Sequence, residues 1–390
     1  MTKHAVLSAS GSERWLACPP SARLEQEFES TTSQYAEEGR FAHQLAELHL
    51  QHFLGELTQR QLTYRVNKLK KESDFYSQEM EDYVQVYVDI AIEKINAAKA
   101  KSYDAIVFLE QRLDFSPWVP EGFGTGDLVL VADGVVEVVD LKYGKGVPVS
   151  AVSNTQMRLY GLGAYQLFDV LYDIQTVRMT IVQPRLDSIS TEELSSKELL
   201  TWGSETVRPI AKLAFDGEGE FAAGEHCRFC RAKHTCRARA ETNLELAKYE
   251  FRDPPLLEQD EITAVLGQAA ELQSWVTDVL DYALVQARDH GVHWPGWKLV
   301  AGRSNRKYTD DDAVVETLIG AGYTKKDIYE EILKGITKME KLLGKKRFAE
   351  LLAELVVKPP GKPTLVPETD KQPEIDPLAS AKKDFEKGED

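Results

Sequence analysis

GTGDLVLVADGVVEVVDLKYG, residues 124–144, consists of two valine-rich runs on either side of Asp133-Gly134. β-Branched runs favour strands, and Asp-Gly is a preferred two-residue hairpin turn. The stretch therefore predicts two antiparallel strands joined tightly. Side chains two apart on a strand share a face, so Asp140 and Lys142 project together while Leu141 points to the other side. The hairpin brings Asp127, at the start of the first strand, back beside them. Two carboxylates and an amine are then expected at one end of an otherwise apolar sheet. Hard oxygen ligands suit Mg²⁺ or Mn²⁺, with water and phosphate completing the shell. A cation held there polarises a phosphodiester and acidifies a bound water, and Lys142 is placed to hold or deprotonate that water. The lysine's charge stays open, because burial beside a metal favours the neutral amine whereas the carboxylates oppose it. Taken alone, an Asp-x-Lys on a strand is more often an ordinary hairpin face of alternating charge and valine.

Moving outward, AIVFLEQRLDF (105–115) and IQTVRMTIVQP (174–184) read as further strands. Between hairpin and last strand, NTQMRLYGLGAYQLF (154–168) has helical character, weakened by Gly161 and Gly163. Upstream, Phe41, Leu45 and Leu48 recur at helical spacing, with Glu37 and Glu38 near the start, where a helix favours negative charge. A second helix is expected over 76–99. Strands, a helix and another strand predict an α/β fold, a small mixed sheet flanked by helices. Beyond it, 191–213 is expected to be helical, 224–240 a cysteine-bearing loop, 256–290 a long helix and 296–308 a strand or hairpin, with more helix to about 356. The last 33 positions carry six of the 16 prolines and read as a flexible tail. The expected organisation is a core over 1–245, a mostly helical module over 246–357 and the tail over 358–390.

With 390 residues and 47 Lys+Arg against 63 Asp+Glu, the formal net charge is −16. That balance excludes a polybasic DNA-coating protein, but not an enzyme with a local basic cleft. No segment reads as a signal peptide or membrane span, so a cytoplasmic protein is expected. Four cysteines are too few for a disulfide scaffold. Three of them, Cys227, Cys230 and Cys236, form C-x₂-C-x₅-C, and Cys18 stands far upstream. Soft thiolates in this pattern favour zinc or an iron–sulfur cluster, and His226 and His234 in the same loop keep zinc in play. The loop also carries Arg228, Arg231, Lys233, Arg237 and Arg239, and a second basic group comprises Arg303, Arg306 and Lys307. Both are candidate phosphate contacts or solvated loop faces.

Two further features accompany the hairpin. Gln156 and Tyr160, at i and i+4, share one face of the following helix. Gly39-x-x-x-His43 places a nitrogen ligand on the N-terminal helix. In this order the set resembles the PD-(D/E)XK nuclease superfamily, and more closely its RecB-type branch, which includes the CRISPR-associated iron–sulfur exonucleases. The motifs that carry the resemblance are His43, Asp127, Asp140-Leu141-Lys142 and Gln156-Met157-Arg158-Leu159-Tyr160. Asp140 stands where many relatives have Glu, which the superfamily's name allows.

The resemblance implies a restriction-endonuclease-like core. His43, Asp127, Asp140 and the Leu141 carbonyl would hold the metal, Lys142 would act on the water, and Gln156 and Tyr160 would position DNA or the site. It also favours a [4Fe–4S] cluster on Cys18, Cys227, Cys230 and Cys236, with zinc as the alternative. HAVLSASGSERWLACPPSARLE, PGWKLVAGRSNRKY and GKPTLVPETD further resemble a phage and prophage family described as a domain of unknown function.

The function expected from this resemblance is a Mg²⁺- or Mn²⁺-dependent deoxyribonuclease. It would be an exonuclease acting on single strands or duplex ends in phage DNA replication or recombination, in the bacterial host cytoplasm. Its partners would be DNA and phage single-strand-binding or recombination proteins, with no membrane. The alternatives are a non-catalytic DNA-binding or scaffolding component of such a complex and, more weakly, a zinc-binding regulator.

Overall fold

Five helices precede the first strand: α1 (Ser12–Ala17), α2 (Ser21–Leu24), α3 (Gln34–Phe53), α4 (Gln59–Lys71) and α5 (Gln78–Lys101). This computed structural model describes residues 5–29, 34–73, 75–245, 258–300, 310–322, 324–329, 335–352 and 355–356. Thr58 and Gln61 form a reciprocal capping box at the start of α4, and the Ser77 hydroxyl accepts from Met80 N at the start of α5. α4 is missing from the sequence reading. Its apolar face is thin, with only Leu62 and Val66 buried.

The sheet has five strands in chain order, β1 (Ile106–Asp114), β2 (Phe123–Ala132), β3 (Val135–Leu141), β4 (Thr176–Gln183) and β5 (Ser188–Ser195). β1–β2, β2–β3 and β4–β5 pair antiparallel, and β3–β4 pair parallel. The turn at Asp133-Gly134 has φ of +51° and +69°, the backbone that a tight hairpin of this kind requires. The parallel step needs a crossover, supplied by α6 (Thr155–Tyr172), whose N-cap Asn154 accepts from Met157 N. β5 corrects the expectation of helix from residue 191. SISTEELS is a polar edge strand, and the helix begins only at α7 (Ser196–Trp202), where Ser195 and Glu198 form a capping box.

Alternation along the strands splits the core into two layers. Leu128, Leu130, Val139 and Leu141 face Leu45, Leu50, Val84 and Val88 of α3 and α5. Val129, Val131, Val136 and Val138 face Met157, Leu162 and Phe168 of α6. The two glycines that weaken α6 on propensity allow it to sit close to the sheet. A Cβ at Gly161 would lie 2.9 Å from Val177 Cγ1, and one at Gly163 the same distance from Leu113 Cβ. The protein is thus α/β, a mixed sheet with helices on both faces.

Three more helices follow, α8 (Arg208–Asp216), α9 (Arg237–Leu244) and α10 (Gln259–Asp289). Arg239 is fully buried, with Nε 2.7 Å from Glu271 and Nη1 2.6 Å from Asp278, so α9 is tied to α10. The first compact unit accordingly runs to Val292, past the expected boundary at 245. The second, His293–Asp390, contains α11 (Asp311–Gly320), α12 (Lys325–Ile328), α13 (Ile336–Leu343) and α14 (Lys345–Leu352), helical as expected. Residues 296–300 form no strand. The rest of that expected hairpin, with Arg303, Arg306 and Lys307, and the tail over 358–390 lie outside the described residues. Among the described residues no helix is long and apolar enough to cross a membrane.

Candidate metal centre

The strand register places the chemistry. Leu128 pairs with Val139, so the next positions, Asp127 and Asp140, lie opposite each other, midway along β2 and one residue before the end of β3. On the other side Leu109 pairs with Leu128 and Gln111 with Gly126, which sets Glu110 opposite Asp127. Glu110, Asp127 and Asp140 thus form a row across three neighbouring strands. The two aspartates of this row were legible in the sequence; Glu110 was not.

Helices from both layers close on the row. From α3, His43 Nδ1 lies 3.1 Å from Asp127 Oδ1. The other oxygen of Asp127 accepts the Leu141 N–H at 2.7 Å, which locks the carboxylate across the strand end. Lys142 Nζ lies 2.8 Å from Asp140 Oδ2 and donates to Gln156 Oε1 at 3.2 Å. The Gln156 amide in turn reaches Asp140 Oδ1 at 3.5 Å and the Tyr160 hydroxyl at 3.3 Å. Position 124 must be glycine for this, because a Cβ there would stand 2.5 Å from Tyr160 Cε1. His43, Asp127, Asp140, Leu141, Lys142, Gln156 and Tyr160 are therefore brought together as expected.

Burial and neighbouring charge set the protonation. Burial pushes the His43 imidazole down, but Asp127, with Asp140 behind it, more than reverses this and raises its pKa to about 9. Burial would raise Asp127, yet His43 and the Leu141 N–H hold it below the ordinary aspartate value. Asp140 is pushed up by burial and by Asp127, against the pull of Lys142. Burial disfavours the Lys142 ammonium, but Asp140 at hydrogen-bond distance outweighs it and raises its pKa. Without metal the lysine is therefore held as a cation. Glu110 is an exposed residue, but partial desolvation of its carboxyl, reinforced by repulsion from Asp127, raises it to about 7.

The donor set fits a hard or borderline divalent cation. One atom each of His43, Glu110 and Asp127 lie within 4.8 Å of one another. Asp140 and the Leu141 carbonyl are the remaining oxygen donors at this strand end.

The cysteines lie elsewhere in the same unit. Cys18, Cys227 and Cys230 are buried, Cys236 is half-buried, and all four are free thiols. α1 packs on the segment Glu225–Phe229, so Cys18 sits beside the loop. Cys18 Sγ accepts the Ala222 N–H at 3.5 Å, and a hydrogen bond to Cys18 raises the pKa of His226. Among the described residues the sulfurs do not draw together to the spacing at which His43, Glu110 and Asp127 meet. That spacing is looser than a closed zinc tetrahedron, whose Zn–S bonds of about 2.3 Å would hold sulfurs nearer together.

Of the basic loop, Lys233 is engaged by Asp278, with Nζ and Oδ1 2.5 Å apart. The Arg231 backbone N–H donates to Glu25 at 2.7 Å, and Arg228 lies over the Phe229 ring. The freer basic surface is α4, which the sequence reading missed. It has no acidic residue, and Arg60, Arg65, Lys68 and Lys71 are exposed around Tyr64, itself 70% exposed.

Comparison with solved structures finds one titled "Crystal structure of SSO0001". It is 12% identical over 61% of this chain and 89% of that chain, with a TM-score of 0.25, too low to carry an argument. A family model described as "Protein of unknown function (DUF2800)" matches residues 4–373. That match takes in the sheet, the candidate site and the cysteine loop, and the chain belongs to this family.

Proposed function

We propose that the protein is a PD-(D/E)XK-type, metal-dependent deoxyribonuclease of the RecB-like kind, acting as an exonuclease on single strands or duplex ends. The observation that carries the reading is the convergence of Asp127 and Asp140 across the β2–β3 register, with His43 on one and Lys142 on the other. Buried Asp140, half-buried Asp127, a histidine and a lysine with mutually shifted protonation, and a glutamine–tyrosine pair beside them, are the kind of cluster that functional sites gather.

His43, Asp127, Asp140 and the Leu141 carbonyl would hold Mg²⁺ or Mn²⁺. A bound cation supplies neutralisation of phosphate charge and a water of lowered pKa. Lys142, a cation in its own right, holds Asp140 in place and presents positive charge where a pentacoordinate phosphate would develop its own negative charge. Gln156, fixed by Lys142 and Tyr160, orients that ammonium. The exposed cations of α4, which packs on the helix bearing His43, offer a path for the backbone of DNA, and Tyr64 offers a stacking surface.

A [4Fe–4S] cluster on Cys18, Cys227, Cys230 and Cys236 is proposed as a structural clamp. Its support is three buried free thiols and the seating of Cys18 beside the loop. A role in phage DNA replication or recombination, with DNA and recombination proteins as partners in a bacterial cytoplasm, rests on the sequence resemblance alone.

The test is incubation of end-labelled linear and closed-circular DNA with the protein in Mg²⁺, Mn²⁺ or EDTA. Cleavage of linear DNA that needs the cation and is lost in Lys142→Ala supports the reading. Metal-independent binding without any cleavage would favour the non-catalytic DNA-binding alternative.

A further inference from the structure

We propose that Glu110 is a further metal-binding residue, forming with His43 and Asp127 a three-point seat for a divalent cation on the β1 side of the centre. The inference deepens the nuclease reading by naming a ligand that its sequence motifs do not contain, and it rests on that reading only for what the cation is used for.

Three independent features of the fold converge on this position. The first is placement. Glu110 stands opposite Asp127 on the neighbouring strand, and one atom each from Glu110, Asp127 and His43 lie within the span of a single coordination sphere, all within 4.8 Å of one another. The second is backbone cost. In the middle of nine-residue β1, Glu110 has φ of +49°, a left-handed conformation that a non-glycine residue in a strand adopts only when something holds it there. The β1–β2 ladder pairs at Leu109–Leu128, omits the Glu110 position and resumes in the same register at Gln111–Gly126. No residue is inserted. The ladder is broken at the one position that lies beside Asp127.

The third feature is an unpartnered donor. Tyr87 of α5 is 1% exposed and lines the small cavity shared by His43, Glu110 and Asp127, and among the described residues its buried hydroxyl has no hydrogen-bond partner. A buried hydroxyl without a partner is costly, and a hydrated cation would bring an oxygen into its reach. The phenol stays protonated, since burial and the nearby carboxylates raise its pKa, so it can donate to such a water. Glu47, one turn along α3 from His43, lines the same cavity but is occupied by Gln51 at 2.8 Å and is not part of the seat. One nitrogen and two carboxylates suit Mn²⁺ better than Ca²⁺, and Mg²⁺ less well than Mn²⁺.

The test is Mn²⁺ binding to the full chain without DNA, measured by calorimetry and by the electron paramagnetic resonance signal of free Mn²⁺. Glu110→Gln keeps size and backbone but removes the charge, and should weaken Mn²⁺ by roughly tenfold or more. Glu121→Gln, exposed and of positive φ like Glu110 but away from His43 and Asp127, should leave Mn²⁺ binding unchanged. Glu110→Gly should melt higher than wild type without metal, because it relieves the left-handed strain, and should lose the Mn²⁺-dependent rise in melting temperature. Wild-type Mn²⁺ affinity in Glu110→Gln overturns the assignment, even if the wild-type protein cleaves DNA. Weakened binding in that variant, from a wild type that binds Mn²⁺ but never cleaves DNA, upholds the seat and sinks the nuclease reading. A wild-type chain that binds no Mn²⁺ sinks both.

Discussion

His43 is the residue at which a proton and the proposed metal would compete most directly. In the metal-free protein its pKa lies above the ordinary value, at about 9, because Asp127 binds the imidazolium. The sign is that of a raised base. The His43–Asp127 pair contributes its full stability below the unfolded histidine's pKa and loses it as pH rises through about 9. A cation needs the neutral imidazole, so its affinity follows the opposite course and strengthens across the same window. Mn²⁺ affinity is therefore expected to rise by more than about tenfold per pH unit near pH 7, where one proton leaves His43 and part of another leaves Glu110, and by about tenfold per unit above it toward 9. Calorimetry in buffers of different ionisation enthalpy measures those protons, and a pH-independent affinity would contradict the assignment of His43 as ligand. At this scale the sequence was largely legible, since two-residue periodicity and a hairpin turn suffice to align Asp127, Asp140 and Lys142. Glu110 was hidden because its alignment depends on a left-handed backbone that no pattern of residue types in EQRLD announces.

Among the elements, the long periodic ones were readable and the marginal ones were not. The hairpin, α6 and α10 carry strong local signals. β5 does not, because SISTEELS runs into SSKELL and on propensity reads as the start of the following helix. Pairing with β4 decides its state. α4 was missed for a related reason, its buried face being only Leu62 and Val66, so packing on α3 and its capping box hold it. Its opposite face is the one with consequences. Among the described residues no carboxylate pairs with Arg60, Arg65 or Lys71, while Lys68 has only an exposed i,i+4 contact with Glu72 at 3.8 Å, which contributes little. Reversing Arg60, Arg65 and Lys68 to Glu should leave the fold intact and weaken binding of a labelled single-stranded oligonucleotide in EDTA. The salt dependence should flatten by about 0.7 in log–log slope for each phosphate contact removed. Anisotropy titrations at several salt concentrations measure both quantities, and unchanged affinity and slope would exclude α4 from the DNA path.

The whole molecule carries a net charge of −16, yet gathers exposed cations on one helix, which packs on the helix bearing His43. In its first unit, segments far apart in sequence are joined by two devices, the buried Arg239 between α9 and α10 and the meeting of Cys18 with the cysteine loop. Sequence spacing pointed to the second, but not to the first: Arg239 reads as one of the loop's basic residues, and its burial between Glu271 and Asp278 removes it from that face. If the cysteines hold an iron–sulfur cluster, protein purified without oxygen should be brown and contain iron but not zinc. Cys227→Ser should lose the colour and melt at lower temperature, because the Cys18 segment would no longer be clamped. Stoichiometric zinc without iron would replace the cluster with the alternative metal, and four reactive thiols with neither metal would remove the clamp altogether.

The most direct measurement of the account is the rate at which the full chain, with Mn²⁺, shortens end-labelled linear DNA, compared between wild type and the Lys142→Ala and Asp140→Asn variants. Wild type should cleave, EDTA should stop it, and each variant should fall by about 10²-fold or more while still binding DNA. Variants that cleave at the wild-type rate, or a wild type that leaves the DNA intact with either cation, would contradict it.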